Sequence, residues 1–125
     1  MTDSVDRLYE GVMAARNADP ARSRTARLLR SGRAKAAKKL AEEAVEVVID
    51  AVNGDREAMV RESADLLYNL VVLWVAAGVH PKDVWKEMER RERMLGIAEK
   101  LPKAPVEPPA RKVVSLETRR VRKRR

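Results

Sequence analysis

The sequence predicts an all-α fold, a helical bundle completed by homodimerisation. Three observations carry this. Apolar residues recur at helical spacing throughout, with no sustained two-residue alternation. Caps and breakers such as Ser23, Asn53-Gly54-Asp55, Gly78 and Pro81 divide the apolar stretches at helix-length intervals. One of the predicted helices is apolar on nearly every side, more than one short chain can cover.

Helix one is expected from about Ser4 to Asn17, with Val5, Leu8, Tyr9, Val12 and Met13 on one face. "ADPARS" follows as a loop, and Ser23 can cap a short second helix ending near Gly32. Helix three spans about Arg33 to Val52, and "NGD" at 53–55 breaks it. Asp55 can cap helix four, which ends near Gly78; Pro81 suits the first turn of helix five, which ends near Gly96. His80 reads as a helix-start residue rather than a ligand, and Trp74 and Trp85 as core or dimer interface.

Length and composition bound the rest. A chain of 125 residues suggests one folded domain, expected here over residues 1–101. The absence of Cys removes disulfides and thiolate metal sites. The start, "MTDSVDRLYEG", lacks the basic and apolar regions of a secretory signal. The longest uncharged run, Leu66 to Val79, is 14 residues, short of the roughly 20 that span a bilayer. A cytoplasmic protein without membrane contacts is expected. The net charge is +8, yet residues 110–125 hold eight Lys/Arg against Glu117 alone, leaving +1 for everything before them. "LPKAPVEPPA" precedes that tail and reads as an extended linker. Residues 102–125 are therefore expected to form a Pro-rich linker and a solvated, disordered basic tail. Nucleic acid is expected to meet at most weak contacts with the tail, which has no aromatic residue to stack on bases.

The chemistry lies in the carboxylates. At about 100° per residue, Glu46, Asp50 and Glu43 fall about 40°, 80° and 100° from Glu42 on helix three, and apolar residues fill the arc from about 140° to 340°. Taken alone, that is an ordinary solvated face. Helix four alters the weighting, because Glu62, Asp65 and Asn69 form a polar strip on an otherwise apolar helix, which is costly unless partnered. The tight "NGD" turn makes the two helices antiparallel neighbours, so the strips can face each other. Converging carboxylates repel by about 4 kcal/mol per pair at about 4 Å and an effective dielectric near 20. A divalent cation relieves this, and all-oxygen ligands favour Mg²⁺, with Mn²⁺ as a substitute. Lys35, Lys38 and Lys39 share the acidic face one and two turns earlier. They read either as surface pairs with Glu42 and Glu43 or as phosphate ligands beside a metal site suited to phosphoanhydride hydrolysis.

With these residues in view, the sequence resembles phosphoribosyl-ATP pyrophosphohydrolase of histidine biosynthesis. The similarity lies in "LYE" at 8–10, "ADPARSRTARLL" at 18–29, "KKLAEEAVEVV" at 38–48, "ESADLLYNLVVL" at 62–73 and "GIAEK" at 96–100. Within it sits the pattern Glu-Glu-x-x-Glu, a spacer and Glu-x-x-Asp of the all-α nucleotide pyrophosphohydrolases: Glu42, Glu43, Glu46, Glu62 and Asp65. The resemblance implies Mg²⁺-dependent hydrolysis of phosphoribosyl-ATP to phosphoribosyl-AMP and pyrophosphate. It implies metal binding by Glu43, Glu46, Glu62 and Asp65, and catalytic roles for Glu42 and Glu43, with Glu42 orienting or deprotonating the attacking water. Lys35, Lys38, Lys39, Ser23, Thr25 and Arg27 would lie near the substrate phosphates, and Asn69 beside the substrate. Arg24 stands where that family usually has an aromatic residue, Ala41 where it has Gly, and Asn69 where it has His. Two other readings stay open at this point. One is a house-cleaning pyrophosphohydrolase for another nucleoside triphosphate. The other is a non-catalytic helical module with a polyanion-binding tail.

Overall fold

The computed structural model describes residues 3–95, which form five helices. They are α1 (Ser4–Ala15), α2 (Arg24–Arg30), α3 (Arg33–Val52), α4 (Arg56–Ala77) and α5 (Pro81–Leu95). The all-α expectation holds: the described residues contain no strand. The linker and tail expected over 102–125 lie outside the described residues, as does "GIAEK" at 96–100. The described residues divide into two units between Lys86 and Glu87, inside α5. No single helix among the described residues is long and apolar enough to cross a membrane.

Local chemistry sets the boundaries. The Asp3 carboxylate accepts from the Asp6 amide at 2.8 Å and starts α1. That helix ends two residues before the expected Asn17, because the amide of Arg16 donates to Met13 and that of Ala18 to Ala15, tightening the last turn to three-residue spacing. Ser23 caps α2 through Ala26 N–H at 3.0 Å. Gly32, at φ 95° and ψ 172°, turns the chain into α3 through a conformation essentially reserved for glycine. The α3–α4 turn is a Schellman closure: Asp55 N–H reaches Asp50 C=O at 3.0 Å and Gly54 N–H reaches Ala51 C=O at 3.1 Å. The Asp55 carboxylate then caps α4 through Ala58 N–H at 3.1 Å. At α5, His80 Nδ1 accepts from Lys82 N–H and the Asp83 carboxylate accepts from His80 N–H, both at 3.0 Å. His80 is thus half of a reciprocal cap, in keeping with its reading as a helix-start residue.

In the first unit, α3 and α4 make the dominant packing, with α1 and α2 laid against α4. The buried centre is small: Val12, Ala36, Val71 and Val72, ringed by Val5, Leu8, Tyr9, Leu28, Leu29, Tyr68, Leu73, Trp74 and Val75. Trp74 meets Trp85 edge-to-face at 6.3 Å. One consequence of the packing is absent from the sequence reading. Much of the apolar arc of α3 does not face the other described residues: Val45, Val48, Ile49 and Val52 are exposed, as are Val60 and Leu67 of α4. The packed face of α3 is centred on Ala36 and Glu43 instead, at the border between its acidic and apolar arcs.

Candidate active site

That rotation turns the acidic edge of α3 toward α4. The Glu43 side chain is only 13% exposed, and carboxylate oxygens of Glu43, Glu62 and Asp65 all lie within 4.8 Å of one another. Glu62 and Asp65 stand three residues apart on α4, so one turn presents both to Glu43. The Glu62 carboxyl is held above its usual 4.5. The main cause is hydrogen bonding with the Glu43 carboxyl, followed by desolvation and the charges of Glu43, Asp65 and Glu46. A carboxyl pushed up by like-charged neighbours sits in a locally negative field that a cation would relieve. Three oxygen donors at this spacing, with no sulfur or imidazole among them, fit a hard divalent cation such as Mg²⁺ with small side-chain rotations.

Beside this cluster opens a cavity of about 570 Å³, lined by Arg24, Arg27, Leu28, Ser31, Lys35, Lys38, Lys39 and Glu42. Five cations against one carboxylate make it an anion pocket. Arg24, Arg27, Leu28 and Ser31 come from successive turns of one side of α2 and the turn after it; the lysines and Glu42 come from α3. Arg27 is braced by a 2.8 Å hydrogen bond from Nη1 to Pro20 C=O. Arg24 lies over the Tyr68 ring at 5.8 Å. Lys39 joins the two halves, 3.6 Å from Glu43 and 3.9 Å from Glu42.

The structure therefore brings most of the sequence-derived site together. Glu43, Glu62 and Asp65 form the cluster. Glu46 is exposed at its edge, close enough to act on Glu62 through charge. Glu42, Arg27, Lys35, Lys38 and Lys39 line the pocket. Of the surface pairs weighed for the lysines, Lys39–Glu43 forms, and Lys39 rather than Lys38 approaches Glu42. Ser23 and Thr25 do not line the pocket: the Ser23 hydroxyl caps α2, and Thr25 Oγ1 hydrogen-bonds Tyr68 OH at 2.6 Å. Asn69 is 1% exposed. Its Nδ2 donates to Asp65 C=O at 2.8 Å, and its Oδ1 has no hydrogen-bond partner among the described residues.

Leu28, Ser31 and the hydroxyl of Tyr68 escaped sequence reasoning as site residues, and Arg24 stood out only as a departure from the family's usual aromatic residue. Positions 24, 27, 28 and 31 carry helical spacing, and that periodicity was the available signal for the wall that α2 presents. Tyr68 gave none, because a tyrosine on an apolar helix reads as core.

Residues 5–92 match the family model described as phosphoribosyl-ATP pyrophosphohydrolase. A Rhodopseudomonas palustris protein named phosphoribosyl-ATP pyrophosphatase 2 is 66% identical, with 100% of both chains covered. A Bradyrhizobium diazoefficiens protein of the same name is 64% identical over 99% of each chain. A Granulibacter bethesdensis protein named phosphoribosyl-ATP pyrophosphatase is 56% identical, covering 85% of this chain and 66% of its own.

Proposed function

Because the chain belongs to the phosphoribosyl-ATP pyrophosphohydrolase family, we infer that it hydrolyses phosphoribosyl-ATP to phosphoribosyl-AMP and pyrophosphate in histidine biosynthesis. The observation that carries this is the junction of a three-carboxylate cluster with a five-cation pocket. A phosphoanhydride substrate needs both, since its phosphates carry the charge and its scissile bond needs a site for water beside them.

In this reading Glu43, Glu62 and Asp65 hold Mg²⁺ (or Mn²⁺), with Glu46 at the edge of the set. When bound, the ion supplies charge neutralisation at the phosphates. Arg24, Arg27, Lys35, Lys38 and Lys39 bind and orient the phosphate chain. Glu42, on the pocket wall and half exposed, orients water and takes its proton. The water oxygen bonds to phosphorus, the anhydride P–O bond breaks, and pyrophosphate carries away the bond's electron pair. The arginines of α2, with Arg27 braced on Pro20 C=O, and the lysines of α3 place the phosphorus before the base, the positional advantage that such sites exploit.

The same proposal includes a homodimer, supported by the uncovered valines of α3, and a cytoplasmic setting where a charged metabolite is free to reach the pocket. A substrate panel including phosphoribosyl-ATP, with released pyrophosphate as the readout, tests the reaction. Turnover of another nucleoside triphosphate with none of phosphoribosyl-ATP would overturn it. Asp65→Asn tests the metal set. Mg²⁺ should raise the melting temperature of the parent and hardly that of the variant, because only binding to the folded state stabilises it. Equal stabilisation of both would remove Asp65 from the ligands.

A further inference from the structure

Lys39 belongs to both halves of the site. Its ammonium is 3.6 Å from Glu43 Oε2 and 3.9 Å from Glu42 Oε1, and the same side chain lines the cationic pocket. Lys35 and Lys38 line that pocket too, yet neither makes an ion pair among the described residues. Of the three pocket lysines, Lys39 alone is tied to the acidic cluster.

The tie has a consequence once a second cation competes for Glu43. The Glu43 carboxylate is largely covered and has Glu62 and Asp65 as neighbours, so Lys39 offsets part of a locally negative field. A divalent ion on Glu43, Glu62 and Asp65 supplies that charge twice over. It also repels the ammonium beside it. Lysine carries a compact charge on a flexible four-carbon stem, and its alternative surroundings are the pocket it already lines. There it adds to the attraction for phosphate.

We propose that Lys39 is a positioning residue that exchanges partners: it neutralises Glu43 in the metal-free protein and is released into the anion pocket when a divalent cation binds. The exchange couples the two halves of the site. Metal raises the pocket's affinity for phosphate, and phosphate raises the affinity for metal by the same factor, as linkage requires. This rests on the metal reading above. It departs from a bland i,i+4 surface pair, which would add little to folding and have no special hold on metal.

The test uses the full chain and Mn²⁺, with free ion counted by its electron paramagnetic resonance signal. Titrations of the parent, Lys39→Met, Lys38→Met and Lys39→Arg are run with and without inorganic phosphate, and Mn²⁺–phosphate association is subtracted from a protein-free titration. Circular dichroism checks that each variant keeps its helix content. Without phosphate, Lys39→Met should bind Mn²⁺ about threefold to tenfold more tightly than the parent, because its competitor is gone. Lys38→Met, which removes the same charge one residue away, should shift affinity less than about twofold. Lys39→Arg should behave like the parent. Phosphate should tighten Mn²⁺ binding in the parent but not in Lys39→Met. Equal effects of Lys39→Met and Lys38→Met would overturn the exchange, as would a phosphate effect that is absent from the parent or undiminished in Lys39→Met. If the parent binds Mn²⁺ and only these differences fail, the metal reading stands without the exchange. If the parent binds none, both fall.

Discussion

If the exposed valine face of α3 carries the proposed homodimer, replacing Val48 by Asp should leave a folded monomer. Val45, Val48, Ile49 and Val52 are 55%, 59%, 47% and 80% exposed, and Val60 and Leu67 of α4 add 54% and 47%. Complete burial of an aliphatic side chain is worth about 1.5–3 kcal/mol, so covering what remains of each gives about 1–2 kcal/mol. Six such side chains on each of two copies offer on the order of 12–24 kcal/mol, against about 4–15 kcal/mol for the lost freedom of association. At the middle of both ranges the margin is about 8 kcal/mol. A symmetric interface would bury two aspartates, each an unpaired charge costing several kcal/mol, and forfeit two valines. The loss exceeds the margin, and the dissociation constant should rise at least about a thousandfold. Because Val48 is already exposed within its own chain, helix content should not change. Sedimentation velocity from about 1 to 100 µM, with circular dichroism alongside, reads both quantities. A variant that still sediments as a dimer across this range would refute the placement of the interface, and a parent that sediments as a monomer would refute the dimer itself.

Glu62→Gln should remove a pH dependence with a definite sign. The folded-state pKa of Glu62 is raised above 4.5, so the stability that protonation contributes is fully present below 4.5 and is lost as pH rises through the raised value. Metal-free Glu62→Gln should therefore be more stable than the parent at neutral pH and match it more closely near pH 4.5 in thermal melts, with the opposite order counting against the raised Glu62 value. Glu87 lies in a different window, since Arg90 and Arg91 lower it to about 2 and its contribution fades only as pH falls below 4.5 toward that value. Thr25→Val and Tyr68→Phe each delete one end of the 2.6 Å hydrogen bond and should each cost about 1 kcal/mol of stability. The double variant should cost little more than either, whereas strict additivity in chemical denaturation would show that the two hydroxyls do not act together. Deleting residues 105–125 should leave turnover intact and abolish most salt-sensitive retention on a polyanion column, because residues 110–125 hold +7 of the net +8; loss of turnover in a folded truncation would tie the tail to the active site.

Much of the fold was legible because its signals are local. Gly54 and Gly78 with their caps set the ends of α3 and α4, and the Asp55 cap is a contact across three residues. Pairing Glu43 with Glu62 and Asp65 needed only the periodicity of two helices and the tight turn between them. What was not legible is that this pairing leaves Val45, Val48, Ile49 and Val52 of α3 exposed. Helical periodicity says which residues share a face but not which face meets the neighbour, and a wheel with acids on one side and valines on the other invites burial of the valines. Nor was the reach of Thr25 to Tyr68 legible, a contact across 43 positions that depends on where α2 rests.

The rotation of α3 gives that helix three separate surfaces. About Ala36 and Glu43 it meets α4; about Val48 and Val52 it is bare; about Lys35, Lys38 and Glu42 it lines the anion pocket. Had the valines packed against α4, Glu43 would have turned toward water, where solvation keeps a carboxylate content and its hold on a cation weak. Turned partly inward, Glu43 loses solvent and gains Glu62 and Asp65 as neighbours, which pushes the Glu62 carboxyl above its usual value. The cost of crowding three carboxylates falls on the α3–α4 pair, and the uncovered valines are the other side of the same rotation. A substitution at the valine face and one at the acidic edge therefore act on different surfaces of one rigid element. Their effects on association and on metal binding should be separable wherever the helix itself remains intact.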